Sequence, residues 1–205
     1  MFENAIQRGV VPFVRSEDFY SNVLGITQKE LVRRLSHRTE VRMVKRGETL
    51  INAGEVQRHM YFLVSGVARG YLLEDGGSDI TDYFYYRLGE PIICGMEPRQ
   101  PSQINVEALT DCKLQCLPME EIPAMLSSCP QSVKYVVELL LASAQLHWQL
   151  KILLYRHTAM ERYEWFLENY PGLIDQVKHK HIASFLGMTP VTLSRLRAEV
   201  RSRQD

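Results

Sequence analysis

Val191, Thr192, Ser194, Arg195 and Arg197 carry the most readable chemistry of the 205-residue chain. An arginine guanidinium can bond O6 and N7 of a guanine together, and a valine can meet a thymine methyl. The hydroxyls of Thr192 and Ser194 can bond bases or phosphates. Lys180, His181 and Arg197 suit phosphates, which position a protein on a duplex without specifying sequence. This chemistry needs a helix that fits the major groove, and the segment HIASFLGMTPVTLSRLRAEV provides one. Ile182, Ala183 and Leu186 give a short first helix, and Gly187 ends it with a backbone conformation that glycine adopts freely. Thr189 is placed to cap a second helix with Pro190 in its first turn. Leu193, Leu196 and Val200 then face inward and leave Arg195 and its neighbours outside. The spacing predicts a helix-turn-helix, against the plainer alternative of a structural helical hairpin.

Charge points the same way. The chain is neutral overall, yet residues 178–205 hold six Lys/Arg (Lys178, Lys180, Arg195, Arg197, Arg201, Arg203) against Glu199 and Asp205, with His179 and His181 beside them. A basic end on a neutral chain implies a polyanionic partner there. A solvated basic helix is the alternative.

The elements that must carry this tip come before it. Thr158 is placed to cap a helix, AMERYEWFLENY, that Pro171-Gly172 stops. Residues 131–155 hold three formal charges, Lys134, Glu138 and Lys151, and as a helix would reach roughly 37 Å. One stripe runs Val133, Val137, Leu140, Ala144, His147, Lys151, Leu154. A second runs Val136, Leu139, Ser143, Leu146, Leu150, Leu153. Two apolar faces must both be buried. One can lie on the chain's own β region, and heptad spacing makes a twin helix the candidate for the other. The expected homodimer interface is therefore Val133, Val137, Leu140, Ala144, His147 and Leu154. A histidine in such a seam can bond an effector, ligate haem or bond across the interface.

Residues 41–122 change period. Short runs of β-branched and aromatic residues are broken by Gly47, Gly54, Gly66 and Gly76-Gly77, which reads as a sandwich or barrel. Later strands are expected at 67–73, 79–86, 103–109 and 112–117. Leu88 to Ser102 contains Pro91, Pro98 and Pro101 and so is excluded as a central strand. Residues 1–40 read as helical, with a T-x-x-E capping box from Thr27 to Glu30.

Other chemistries are weakly supplied. Cys94, Cys112, Cys116 and Cys129 form no CxxC pair and read as reduced thiols, not as cluster ligands. A cupin-type metal enzyme wants clustered His and Glu on strands, whereas the β region has the single His59. No nucleophile–base pair or Gly-rich phosphate loop is visible, so no enzyme is expected. The chain lacks a long uncharged apolar run and an early apolar core at its N-terminus, so neither membrane span nor secretory signal is expected. A cytoplasmic location follows.

The whole pattern resembles the Crp/Fnr family of bacterial regulators over roughly residues 25–202. The resemblance rests on RGETLINAGE, MYFLVSGVARGYL and EALTDCKLQCLP, then the long helix and the terminal helix-turn-helix in family order. It implies an α+β fold: an N-terminal antiparallel, jelly-roll-like β-roll sensor like a cyclic-nucleotide-binding domain (1–126), a dimerisation helix (127–156) and a DNA-binding unit (157–205). It implies double-stranded DNA as partner, a homodimer, and RNA polymerase as a further candidate. The effector region would comprise Ile92, Cys94, Gly95, Met96, Glu97, Arg99, Ser102, Gln103, Asn105, His147 and Trp148. DNA contacts would fall on Lys180, His181, Thr189, Pro190, Val191, Thr192, Ser194, Arg195 and Arg197.

Two departures shape that reading. Where nucleotide-binding members place an acid after glycine and then an arginine for the cyclic phosphate, this chain has Cys94-Gly95-Met96 and, further on, Ser102 or Gln103. Arg99 lies three residues away on a proline-flanked loop. A phosphate buried without a cationic cradle is costly, so a small-molecule effector other than a cyclic nucleotide is expected, and no cofactor is assigned. The β wing that usually follows the recognition helix is absent or vestigial. That absence also leaves open a signalling protein of this fold that has lost DNA binding.

Overall fold

The computed structural model describes residues 15–94, 100–128 and 130–203. Contacts divide the chain into two units, residues 1–70 with 84–139 and residues 71–83 with 140–205.

The chain forms two four-stranded sheets, of which the hairpin at residues 71–83 falls in the second unit. Their strands are β1 (Glu40–Val44), β2 (Thr49–Ile51), β3 (His59–Ser65), β4 (Ala68–Leu73), β5 (Asp79–Tyr85), β6 (Pro91–Ile92), β7 (Asn105–Ala108) and β8 (Cys112–Pro118). One sheet has the order β1-β8-β3-β6 and the other β2-β7-β4-β5. The strands expected from the glycine rhythm are present with shifts of a residue or two. Among its described residues the proline-bearing stretch contributes the two-residue β6, at a sheet edge where a missing N–H costs least, and an isolated bridge from Pro101 to Val56. β8 lies between β1 and β3, with Val44 opposite Cys112 and Tyr61 opposite Cys116. Leu114, Gln115, Cys116 and Leu117 are accordingly all buried.

Gly66 makes the β3–β4 turn at φ 97°, and a Cβ there would sit 2.5 Å from the Asp111 carbonyl oxygen and 2.7 Å from Cys112 Sγ. Only glycine fits on both counts. Short α1 (Ser16–Asp18), a π-helical turn (Phe19–Val23) and α2 (Lys29–Arg38) pack on this roll. Phe19, Tyr20, Leu31 and Leu35 meet Phe62, Val64 and Leu117 in one core. The capping box expected at Thr27 does not form. Gln28 is the N-cap residue of α2, without a side-chain cap bond, and Glu30 instead pairs with Arg33 at 2.8 Å. An acid one turn before an arginine has a charged partner that outbids a backbone N–H. Helical expectations for residues 1–14 lie outside the described residues.

α3 (Ile122–Ser128) leads to the long α4 (Pro130–Arg156). The stripe assigned to a twin helix is open. Val133 is 43 % exposed, Val137 47 % and Leu140 42 %, and Ala144, His147 and Leu154 are exposed as well. Leu150 and Leu153 of the second stripe are buried. Leu141, Trp148, Ile152 and Tyr155 extend the uncovered face.

The second unit adds α5 (Ala159–Asn169), α6 (His179–Phe185) and α7 (Pro190–Ser202). Thr158 closes a full capping box: its Oγ1 accepts from the Glu161 N–H at 3.3 Å, and Glu161 Oε2 accepts from the Thr158 N–H at 2.7 Å. Phe166, Tyr170 and Phe185 form an aromatic cluster with centroids 5.0–6.1 Å apart. Among the described residues no helix is long and apolar enough to cross a membrane.

Candidate nucleic-acid interface

α6 and α7 are joined by a tight turn at Gly187, φ 60°, where a Cβ would lie 3.0 Å from Leu154 Cδ2. Thr189 caps α7 by accepting the Thr192 N–H at 3.1 Å, with Pro190 in the first turn. Ile182, Ala183, Leu186 and Leu193 are buried and fix the angle between the helices. Thr189, Pro190, Val191, Ser194 and Arg195 are exposed, and Thr192 is half-buried. The exposed set recurs at i, i+3, i+4 along α7, so it forms one outward ridge over the first turns. Val191, at 61 % exposure, is an apolar side chain presented to water by a helix whose buried contact is Leu193.

Two sites differ from the sequence reading. His181 is 4 % exposed, so it does not face outward as a phosphate contact. Its Nδ1 lies 3.9 Å from Asp79 Oδ1, and Lys180 Nζ lies 3.9 Å from Asp79 Oδ2. The contact arises because the β4–β5 hairpin, residues 71–83, belongs to this unit. The Thr81 N–H donates to Ser184 Oγ at 2.8 Å, and the Ser184 hydroxyl donates to Thr81 Oγ1 at 3.0 Å. Lys180 keeps 56 % of its side chain exposed and remains available to an anion. Arg197, the second, is only 22 % exposed and lies 3.4 Å from Asp175 Oδ1. Its Nη1 also donates to His179 Nε2. The sequence gives no local sign of these pairings, because the partners are 18, 22 and 103 residues apart.

Among the described residues assigned to an effector, Ser102, Asn105 and His147 are bonded to backbone atoms of this chain. Ile92 is fully buried and Cys94 nearly so. Ser102 Oγ donates to the Ile104 carbonyl at 2.6 Å, and Asn105 Oδ1 accepts from the Ala53 N–H at 3.0 Å. Gln103 is exposed. Gly95, Met96, Glu97 and Arg99 lie outside the described residues. Arg69, which the sequence reading missed, is 2 % exposed on β4, with Nε 2.7 Å from Glu107 Oε1. On α4, the His147 Nδ1–H donates to the Ser143 carbonyl at 2.8 Å, and its ring stacks on Tyr83. Trp148 is 65 % exposed, with Lys151 Nζ 5.7 Å from its ring centre.

Burial pushes the Cys94 thiol up to about 12 and the Cys116 thiol to about 11, and Cys112 is raised for the same reason. All three are therefore protonated at neutral pH, unlike thiolate ligands. Among the described residues no cluster of His, Cys, Asp or Glu is disposed to hold a metal.

Residues 41–129 match the cyclic nucleotide-binding domain family. The transcriptional activator protein FnrA of Stutzerimonas stutzeri is 23% identical over 166 residues, which span 76% of this chain and 68% of that protein. The structure of FixK2 from Bradyrhizobium japonicum superposes with a TM-score of 0.73 at 20% identity, covering 81% of this chain and 86% of that one. A regulator from Eubacterium rectale described as of the crp/fnr family gives a TM-score of 0.65 at 18% identity, covering 86% and 84%.

Proposed function

We infer that this chain is a dimeric, sequence-specific DNA-binding regulator and not an enzyme, from the match of residues 41–129 to the cyclic nucleotide-binding domain family and from a fold like that of a regulator described as of the crp/fnr family. The observation that carries this reading is the outward ridge of α7, where Val191, Ser194 and Arg195 stand exposed on a helix capped by Thr189 and anchored by Leu193. Arg195 would bond a guanine, Val191 a thymine methyl, and Ser194 and Thr192 bases or phosphates. Lys180 and the capping turn at Thr189–Pro190 would hold the backbone. RNA polymerase is the natural further partner of such a regulator.

Pairing two such helices requires the open stripe of α4. Val133, Val137, Leu140, Ala144, His147 and Leu154 would pack on their copies, with Trp148 beside them. An effector would act by shifting the population between two packings of the paired helices. A rotation near 155–158 would then reset the separation of the two α7 helices, which DNA requires to be about 34 Å.

A ligand other than a cyclic nucleotide suits the roll better. Ser102 stands near the expected phosphate position and is committed to Ile104, while Arg69 is committed to Glu107. The test is selection from a random duplex library, followed by gel shifts. Wild type should enrich a near-palindrome, and Arg195→Ala should relax one position in each half. Failure to enrich any sequence would favour the rival reading, a signalling protein of this fold that no longer binds DNA.

A further inference from the structure

Arg197 has the position of a phosphate contact and the surroundings of a structural bolt. It sits two residues beyond exposed Arg195 on α7, yet keeps only 22 % of its side chain in water. One end of its guanidinium donates to His179 Nε2 at the start of α6. The other reaches Asp175 Oδ1 at 3.4 Å, in the 3-10 turn Leu173–Asp175 that precedes α6. A guanidinium is a rigid planar fork, so two acceptors on different elements fix its plane and with it the rotation of the helix that bears it. The hydrophobic contacts of Leu193 and Ile182 set the distance between α6 and α7, but they are not directional.

Accordingly we propose that Arg197 is a positioning residue that fastens the recognition helix to the start of α6 through His179 and Asp175, and that it sets sequence preference without touching DNA. The proposal rests on the DNA-binding reading above.

The surroundings of His179 fit an acceptor role. Arg197 can only donate, so Nε2 must hold a free lone pair and the ring must be neutral. Burial lowers the His179 pKa, and the Arg197 charge, with Arg201 behind it, lowers it further, against the opposing pull of Asp175. Tyr163 on α5 stands in the field of the same three groups, and Lys178 and Lys180 flank the histidine in sequence. Protonation would remove the lone pair and set a second cation against Arg197. The link therefore holds at neutral pH and opens as pH falls below the ordinary histidine range.

The experiment measures duplex affinity against salt for wild type, Arg197→Ala, Arg197→Lys and His179→Gln, on the selected site and on a scrambled duplex. Loss of a phosphate contact in each subunit of the dimer would flatten the log–log salt slope by about 1.8, about 0.9 per contact. A positioning role instead predicts an unchanged slope for Arg197→Ala, with preference for the selected site reduced about tenfold. Arg197→Lys, which keeps the charge but not the fork, should lose most of that preference too. His179→Gln should keep the preference at neutral pH and abolish its decline in mild acid. A flattened slope, or full preference in Arg197→Lys, would overturn the proposal. An NMR titration of His179 without DNA separates this from the parent reading. Its pKa should rise in Arg197→Ala even if no duplex is ever preferred, and an unmoved pKa would refute the link.

Discussion

Two arginines on different units show how the same side chain is put to opposite uses. Arg195 lies on the outward ridge of α7, exposed and with no ion-pair partner among the described residues. Arg69 lies on β4 at 2 % exposure, with its Nε on Glu107. A cation left in water keeps its bonding capacity for a polyanion that arrives later. A cation taken out of water must be paired on folding, since an unpaired buried charge is prohibitively costly. The ridge of α7 therefore offers Arg195 outward, while Arg69 on β4 is committed internally to Glu107. Arg197 falls between them, two residues from Arg195 on α7 but already bonded to His179 and Asp175.

The outward use of Arg195 can be broken most severely at α4, whose open stripe must pair two copies of α7. Val137→Asp together with Leu140→Asp places charges in the open stripe. It should yield monomers by sedimentation and lower duplex affinity by about 100-fold or more, because two linked half-site contacts become one. Next in size, Glu107→Ala should destabilise the protein by about 3 kcal/mol, the low end for breaking a buried pair because Glu107 retains contact with water. Arg195→Ala should leave chemical denaturation within about 0.5 kcal/mol of wild type. Equal effects of the two changes on stability would erase the contrast. In binding the order reverses. Arg195→Ala should cost about 1–3 kcal/mol of discrimination at one base pair, with Glu107→Ala near wild type under folded conditions.

A smaller effect is expected at the cap. Thr189→Ala should lower stability by about 1 kcal/mol, read from the urea midpoint. Smallest of all is the thiol chemistry of the roll. Cys94, with its pKa near 12, stays protonated throughout the physiological range, so native protein at pH 7–8 should leave Cys94, Cys112 and Cys116 unalkylated. Rapid labelling of any of the three would show the roll to be more open than their burial implies.

What the sequence revealed, and what it hid, follows from the range of each interaction. The turn at Gly187, the cap at Thr189 and the inward Leu193 are set by neighbours within a few residues, and all were legible. Thr158 with Glu161 was legible as a cap for the same reason. The two stripes of α4 were readable because helical period sorts them without knowledge of partners. His181 was misread because its burial depends on the hairpin at 71–83, about a hundred residues away in sequence. Arg69 and Glu107 belong to different strands, and no periodicity announces which cations a roll will bury. Thr27 failed as a cap through competition, since Glu30 had Arg33 within one turn.

The central claim is that two copies of α7 meet successive major grooves on one face of a duplex. The most direct test is affinity for the selected palindrome against the same palindrome with five base pairs inserted at its centre, which turns the half-sites to opposite faces. The account predicts that the insertion lowers affinity toward that of a single half-site. Undiminished affinity across the insertion would contradict it.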